Sequence, residues 1–256
     1  MCLLSILSRV SDDAPLILAA NREEEYQRHG TPPQVGSGRR GYVACRDLRA
    51  GGTWLGINEA SVVVAVVNRP TPPGLQPQRS RGLLALDMLD AGSAAEATRF
   101  AVEQLPRVCY APCLLLAADP ANTFVVQHGE WDQVWPLPAG IHVLTRFGIN
   151  AAADARAARA MAWLNSQRLC VARSWLELAQ EVCRAGPQDG QPALCWHGEQ
   201  AGTVSSTLLA LRQPLRDSVL LHAQGPPDAV PYEDYSALLR VVSQASPAER
   251  DIETSL

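Results

Sequence analysis

Six consecutive residues, Val62-Val63-Val64-Ala65-Val66-Val67, carry no polar side chain. A half-exposed strand alternates dry and wet positions, so an unbroken apolar run predicts a strand buried on both faces. Such a strand needs cover above and below. The flanking sequence supplies partners. Residues 51–58 and 61–68 read as a hairpin turning at Glu59-Ala60, which sets Asn58 opposite Ser61 and brings Asn68 near Gly51. Residues 114–118 and 123–128 read as another, with Asp119-Pro120-Ala121-Asn122 at the turn. Residues 2–10 and 15–22 read as a third, around Asp12-Asp13, and counting from Ser11 opposite Ala14 carries position 2 alongside position 23 or 24.

Helical patterning runs over residues 80–104 with a break at Ala91-Gly92-Ser93, then over 154–167 and 175–184, and residues 204–211 and 218–223 return to strand. Strands and helices therefore come in segregated blocks, which argues α+β rather than alternating α/β units. Two antiparallel sheets packed together with helices outside satisfy these elements. Residues 69–81, holding Pro70, Pro72, Pro73 and Pro77, read as a structureless loop able to cover a site. The rest is expected to form one domain over 1–256, ending in a short flexible tail.

Composition excludes several classes. At 256 residues, with 47% hydrophobic residues and a net charge of −4, the chain has enough core to fold without disulfides. No basic stripe favours nucleic acid. The longest apolar stretches are strand-sized, so no integral membrane contact is expected, and without a basic n-region before the first apolar run a cytoplasmic address is the default. Seven cysteines, at 2, 45, 109, 113, 170, 183 and 195, are an odd number without tight pairing and read as reduced. Cys109-x-x-x-Cys113 lacks a second pair and Cys195-Trp196-His197 lacks further ligands, so no metal site is expected. His142, His197 and His222 are not spaced as a ligand set.

The chemistry concentrates at the start. Initiator processing removes Met before a small residue, which would leave Cys2 first, with thiol nucleophile and α-amine base on one residue. The second strand ends in Asn21-Arg22-Glu23-Glu24, an amide, a guanidinium and two carboxylates carried beside that thiol by the hairpin. Alternation puts Arg22 and Glu24 on one face and Asn21 and Glu23 on the other. Asn68, at the end of an apolar strand, is a candidate oxyanion donor.

These residues resemble the signature of the NRDE family, also called the transport and Golgi organisation protein family, whose members begin Met-Cys and carry Asn-Arg-Asp-Glu. Glu23 stands where the family has Asp. Gly51-Gly52-Thr53-Trp54-Leu55-Gly56-Ile57-Asn58 resembles its GGTWLG-x-N block, Val67-Asn68-Arg69 its following Asn-Arg, Ser80-Arg81-Gly82 the start of its first long helix, and Gly202-Thr203-Val204-Ser205-Ser206-Thr207 its late strand. Gly225-Pro226-Pro227 and Pro231-Tyr232-Glu233-Asp234-Tyr235-Ser236 match the C-terminal block of a subgroup. The resemblance implies a four-layer αββα sandwich similar to N-terminal-nucleophile hydrolases. It implies Cys2, Arg22 and Asn68 as catalytic, with Asn21, Glu23, Glu24, Trp54, Asn58 and Asn150 as binding residues. Asn150 would replace the amide that related members carry after Leu-Thr, where this chain has Arg146, and Val204 stands where others carry Arg. The implied activity is hydrolysis of a small amide or thioester with no cofactor required. The alternative is a non-catalytic carrier of haem or an acyl-CoA or lipid-like ligand in the same cleft.

Overall fold

The computed structural model describes residues 2–244, position 2 by its backbone; the Cys2 thiol and the expected C-terminal tail lie outside the described residues. In chain order the strands are β1 (Cys2–Ser8), β2 (Leu16–Glu25), β3 (Gln34–Ser37), β4 (Gly41–Ala44), β5 (Leu55–Asn58), β6 (Val63–Asn68), β7 (Cys113–Ala118), β8 (Thr123–His128), β9 (Gln133–Pro136), β10 (Gly140–Thr145), β11 (Gly148–Ile149), β12 (Ala201–Leu211), β13 (Val219–Ala223) and β14 (Glu233–Asp234). The helices are α1 (Arg81–Met88), α2 (Ala94–Gln104), α3 (Ala155–Asn165), α4 (Ala172–Arg184) and α5 (Ser236–Gln244).

The strands form two sheets of opposite character. One runs β3-β4-β5-β6-β7-β8-β9, a meander in which every neighbour is next in sequence. The other runs β11-β10-β1-β2-β12-β13-β14 and joins distant parts of the chain. Side chains of Leu4, Ile6, Leu16 and Leu18 meet Val63, Ala65, Val67 and Leu116 between the sheets. The alternate positions Leu3, Leu7, Ile17 and Ala19 face Trp175, Leu176 and Ala179 of α4 and Ala157 and Ala160 of α3. On the far side, Val62, Val64 and Val66 lie under Leu84, Ala85 and Met88 of α1 and Ala97 and Ala101 of α2. The apolar run over residues 62–67 thus sends alternate residues into two cores, and the layers are αββα. Each fully buried Leu or Val here contributes about 1.5–3 kcal/mol.

Helix boundaries follow local chemistry. Ser80 caps α1 through the Gly82 N–H, Ser93 caps α2 through the Glu96 N–H, and Asp154 caps α3 through the Arg156 N–H. The Val171 side chain offers α4 no cap, and Asp13 of the β1–β2 loop accepts from the Ala172 N–H at 2.7 Å instead. Burial alone would raise the Asp13 carboxyl, but hydrogen bonds from Ala172, Ser11 and Arg212 outweigh it and hold the group below its usual value. The acidic Glu233-Asp234 pair, read from sequence as a helix start, forms the short strand β14 instead; Asp234 still accepts from the Ser236 N–H at 2.7 Å where α5 begins.

Two expected registers are corrected by one residue. Cys2 pairs with Arg22, not with position 23 or 24, and Ser8 pairs with Leu16. The intervening loop is wider than a turn at Asp12-Asp13, because Arg9 takes a left-handed φ of 52° and its N–H closes on the Pro15 carbonyl. Likewise Ile57 pairs with Val63 and the Asn58 N–H donates to the Val62 carbonyl, because Ser61 (φ 65°) adds a residue to the turn. Strand β10, the second neighbour of β1, was not expected at all.

Candidate functional site

The cleft is built where β2, β6 and the start of α1 converge. Arg22 and Glu24 share the interlayer face of β2 with Leu16 and Leu18, as alternation requires. The Arg22 guanidinium carbon lies 4.3 Å from the centre of the Trp54 ring, a cation–π stack. Its Nη2 stands 3.5 Å from Asp47 Oδ2, and its Nη1 donates to the Arg28 carbonyl at 3.2 Å. Arg28 in turn meets Asp47 at 2.9 Å and Glu24 at 3.1 Å. Asp47 is fixed from behind by the Arg49 and Ala50 N–H groups at 2.9 and 3.0 Å. The result is a shielded chain of alternating charge, Glu24–Arg28–Asp47–Arg22, closed by an indole. Shielding from water strengthens each of these contacts relative to the exposed surface.

Across from this chain stand Asn68, at the end of β6, and Arg79, Ser80 and Arg81, where the proline-rich loop enters α1. Arg79 is tied to Asp87 at 2.6 Å, and Arg81 Nη1 donates to the Pro112 carbonyl at 2.7 Å. The hollow they enclose has a volume of about 200 Å³. Four arginines line it against three carboxylates, and one of these, Glu23, is engaged elsewhere by Arg156. Its back wall is fixed by a backbone contact. The Thr53 N–H donates to the Gly82 carbonyl at 2.9 Å, and a Cβ on Gly52 would fall 2.1 Å from the Gly82 carbonyl carbon. Only glycine at position 52 allows α1 to sit this close to the segment leading into β5. A second hollow of about 240 Å³ lies on the other side of the Arg22–Trp54 stack, with Tyr26, Val204 and Gln224 among its walls.

The structure thus brings Arg22, Glu24, Trp54 and Asn68 together, and the β1–β2 register delivers position 2 beside them. It takes the remaining expected residues elsewhere. Asn21 faces the helix layer, where its Nδ2 donates to the Cys183 and Leu194 carbonyls at 2.9 and 3.0 Å. Glu23 contributes to the cleft wall, but its side chain is fully buried and its carboxylate is gripped by both Nη groups of Arg156. Burial pushes this carboxyl up and Arg156 pulls it back, and burial wins. Asn58 is an internal strut: its Nδ2 donates to the Leu89 and Ala91 carbonyls, and its Oδ1 accepts from the Ala60 and Val62 N–H groups. Asn150 closes the β10–β11 turn by accepting from the Val143 N–H, and does not supply a cleft amide.

Arg28, Asp47, Arg79 and Arg81 complete the cleft and were not singled out as site residues from the sequence. Only Arg81 lay in a recognised block; Arg28 and Asp47 sit in loops whose return to Arg22 no local pattern announces. Val204 stands at a register shift between Thr203 and Ser205 and lines the second hollow with Arg22 and Trp54, so an apolar side chain occupies the wall there.

Two antiparallel sheets sandwiched by helices, with the first strand central and its start at a polar cleft, define the fold of the N-terminal-nucleophile hydrolases. The chain belongs to the Transport and Golgi organisation 2 family, whose model matches residues 1–154. Among solved structures it is similar to a cysteine-to-alanine mutant of conjugated bile acid hydrolase from Clostridium perfringens, with TM-score 0.58, 11% identity and 93% of each chain covered. An arginine-to-leucine variant of that enzyme matches with TM-score 0.56, 10% identity, and 92% and 96% of the two chains covered. The Caenorhabditis elegans ortholog of N-acylethanolamine-hydrolyzing acid amidase matches with TM-score 0.51, 15% identity, and 82% and 92% covered. No curated protein matches the chain in sequence. Among the described residues no helix is long and apolar enough to cross a membrane.

Proposed function

We propose that the chain is an N-terminal-cysteine hydrolase that cleaves the amide or thioester bond of a small anionic substrate in the cytoplasm. The observation that carries this reading is the pairing of Cys2 with Arg22 at the wall of the polar cleft. Residues directly opposite in an antiparallel pair share a face, and a guanidinium beside a thiol favours the thiolate. With Met1 removed, the α-amine accepts the thiol proton and the sulfur attacks the substrate carbonyl carbon. Asn68, at the cleft wall, takes the role of donor to the developing oxyanion in this reading. The ammonium then protonates the leaving nitrogen or sulfur, the scissile bond breaks, and water hydrolyses the thioester left on Cys2.

The arginine excess around the cleft suits a substrate carboxylate or phosphate, because guanidinium forks match both groups. The names of the similar structures, a hydrolase and an amidase, support the reaction class. A hollow of about 200 Å³, below the roughly 300–1,000 Å³ of pockets that hold drug-sized ligands, supports a small substrate over the carrier alternative. Haem and acyl-CoA are at least that large.

The test is intact mass of the native protein and of Cys2→Ala, before and after a limiting dose of a thiol electrophile, followed by a panel of small amides and thioesters. Expected are loss of Met1, labelling confined to Cys2, and turnover reduced about 10³-fold or more by Cys2→Ala with the fold retained. Retained Met1, label spread over the other cysteines, or an active Cys2→Ala protein overturns the reading.

A further inference from the structure

Beyond the cleft, the helix-side face of the β2–β12 sheet carries a cluster that the proposed hydrolysis does not use. Cys195, His197 and Asp228 place a thiol sulfur, an imidazole nitrogen and a carboxylate oxygen within 4.8 Å of one another. Cys195 and His197 are two apart in an extended arm that pairs back on the start of β12: the Trp196 N–H donates to Thr203 Oγ1 at 2.9 Å, the Thr203 N–H to the Trp196 carbonyl at 2.7 Å, and His197 bridges to Gly202. Extended backbone sends residues two apart to the same side, so thiol and imidazole project together. Asp228 arrives from the turn after β13, held by Ala229 and Val230 N–H groups closing on the Pro226 carbonyl.

The contacts separate two chemistries. In a cysteine–histidine–aspartate relay, the imidazole offers one nitrogen to the thiol and the other to the carboxylate. Here the same atom, His197 Nε2, lies 3.8 Å from Cys195 Sγ and 2.7 Å from Asp228 Oδ2. One imidazole nitrogen is either a donor or an acceptor and cannot pass a proton between two groups that it meets on the same side. Three donor atoms converging on one point is the arrangement of a chelate. Zinc–ligand bonds of about 2.0–2.3 Å at tetrahedral angles place donors about 3.2–3.8 Å apart, so the 3.8 Å between His197 and Cys195 already fits and the 2.7 Å between His197 and Asp228 must open by about 0.5–1 Å.

We propose that Cys195, His197 and Asp228 bind one thiophilic divalent cation, Zn²⁺ by preference, with water in the fourth position. A thiolate and a carboxylate neutralise the ion's charge, and the thiol proton is released on binding. The sulfur–nitrogen–oxygen set selects zinc over magnesium or calcium, which prefer all-oxygen shells. Cys195 is buried while His197 and Asp228 are partly exposed, so the site has a closed base and an open mouth. The ion would staple the arm to the turn after β13. The arm also supplies the Leu194 carbonyl that holds both Asn21 and Arg156.

The test uses the full chain as Cys2→Ala, which removes the other strong chelating position, stripped with chelator under reducing conditions. Co²⁺ titration should give one equivalent of tetrahedral visible absorption with a thiolate charge-transfer band, and Zn²⁺ should displace it. His197→Gln and Asp228→Asn, both at partly exposed positions, should keep their far-UV circular dichroism and weaken Zn²⁺ binding by about 10²-fold in competition with a chromophoric chelator. Zn²⁺ should raise the melting temperature of the parent and not of the double variant. Binding by the parent no tighter than by His197→Gln/Asp228→Asn, or Co²⁺ spectra without the thiolate band, overturns the proposal.

Discussion

Four consecutive residues at the end of β2 do two different jobs. Arg22 and Glu24 face between the sheets and build the cleft; Asn21 and Glu23 face the helices and hold that layer in place. The pleat alone makes this division. The inner pair sits in a chain of charges with several partners each, so removing one leaves the others paired. The outer pair has dedicated partners in buried surroundings, where a lost partner leaves an unsatisfied group. A motif read as one unit is therefore a functional half interleaved with a structural half.

Substitutions on the two faces can break that contrast. The largest effect should come from Arg156→Leu, which removes the two-pronged partner of the fully buried Glu23 carboxylate and should lower the unfolding free energy by about 3–5 kcal/mol in urea denaturation at neutral pH. Because burial already raises the Glu23 carboxyl, protonation favours the folded state, and the deficit should shrink as pH falls through that raised value. Asn21→Leu should cost about 2 kcal/mol by orphaning the Cys183 carbonyl and leaving the Leu194 carbonyl to Arg156 alone. Arg22→Met, whose stem still packs on Trp54, should cost only about 1–2 kcal/mol in stability, yet slow electrophile labelling of Cys2 about 10-fold. An Arg22 variant less stable than the Asn21 variant, with unchanged labelling, would erase the distinction.

The smallest effect concerns His222 of β13, which is buried between Thr207 and Gln224. Burial lowers its pKa against opposing contributions from Gln224 and Glu233. The unfolded chain therefore takes the proton first, and stability should hold above about pH 6.5 and fall below it. The slope from this group is at most about 1.4 kcal/mol per pH unit, and His222→Gln should flatten it.

What the sequence disclosed follows from how local each contact is. The β7–β8 hairpin was legible to within one residue, at the start of β7, because Asp119 turns the chain by accepting from the Ala121 and Asn122 N–H groups. The two hairpins that frame the cleft were legible except in extent, since β5 spans only Leu55–Asn58 and β2 runs on to Glu25, and in register, since Arg9 and Ser61 adopt left-handed φ without glycine or asparagine to announce it. Arg22, Trp54 and Asn68 were found through the blocks that contain them. Arg28 and Asp47 were not, because their roles depend on loops folding back. Strand β10 escaped notice because its partner β1 lies more than a hundred residues earlier. Asp228 joins Cys195 and His197 only once the β12–β13 hairpin has formed.

The central placement of β1 and β2 also sets a schedule. Strand β2 ends at Glu25, but the strand that covers its far edge, β12, ends at Leu211. At ribosomal speeds of about 5–20 residues per second, the first hairpin waits roughly 10–40 s for that neighbour. During the wait its apolar edges are open to any other strand that passes. The hairpin that carries the cleft's first residues is thus synthesised early and protected late.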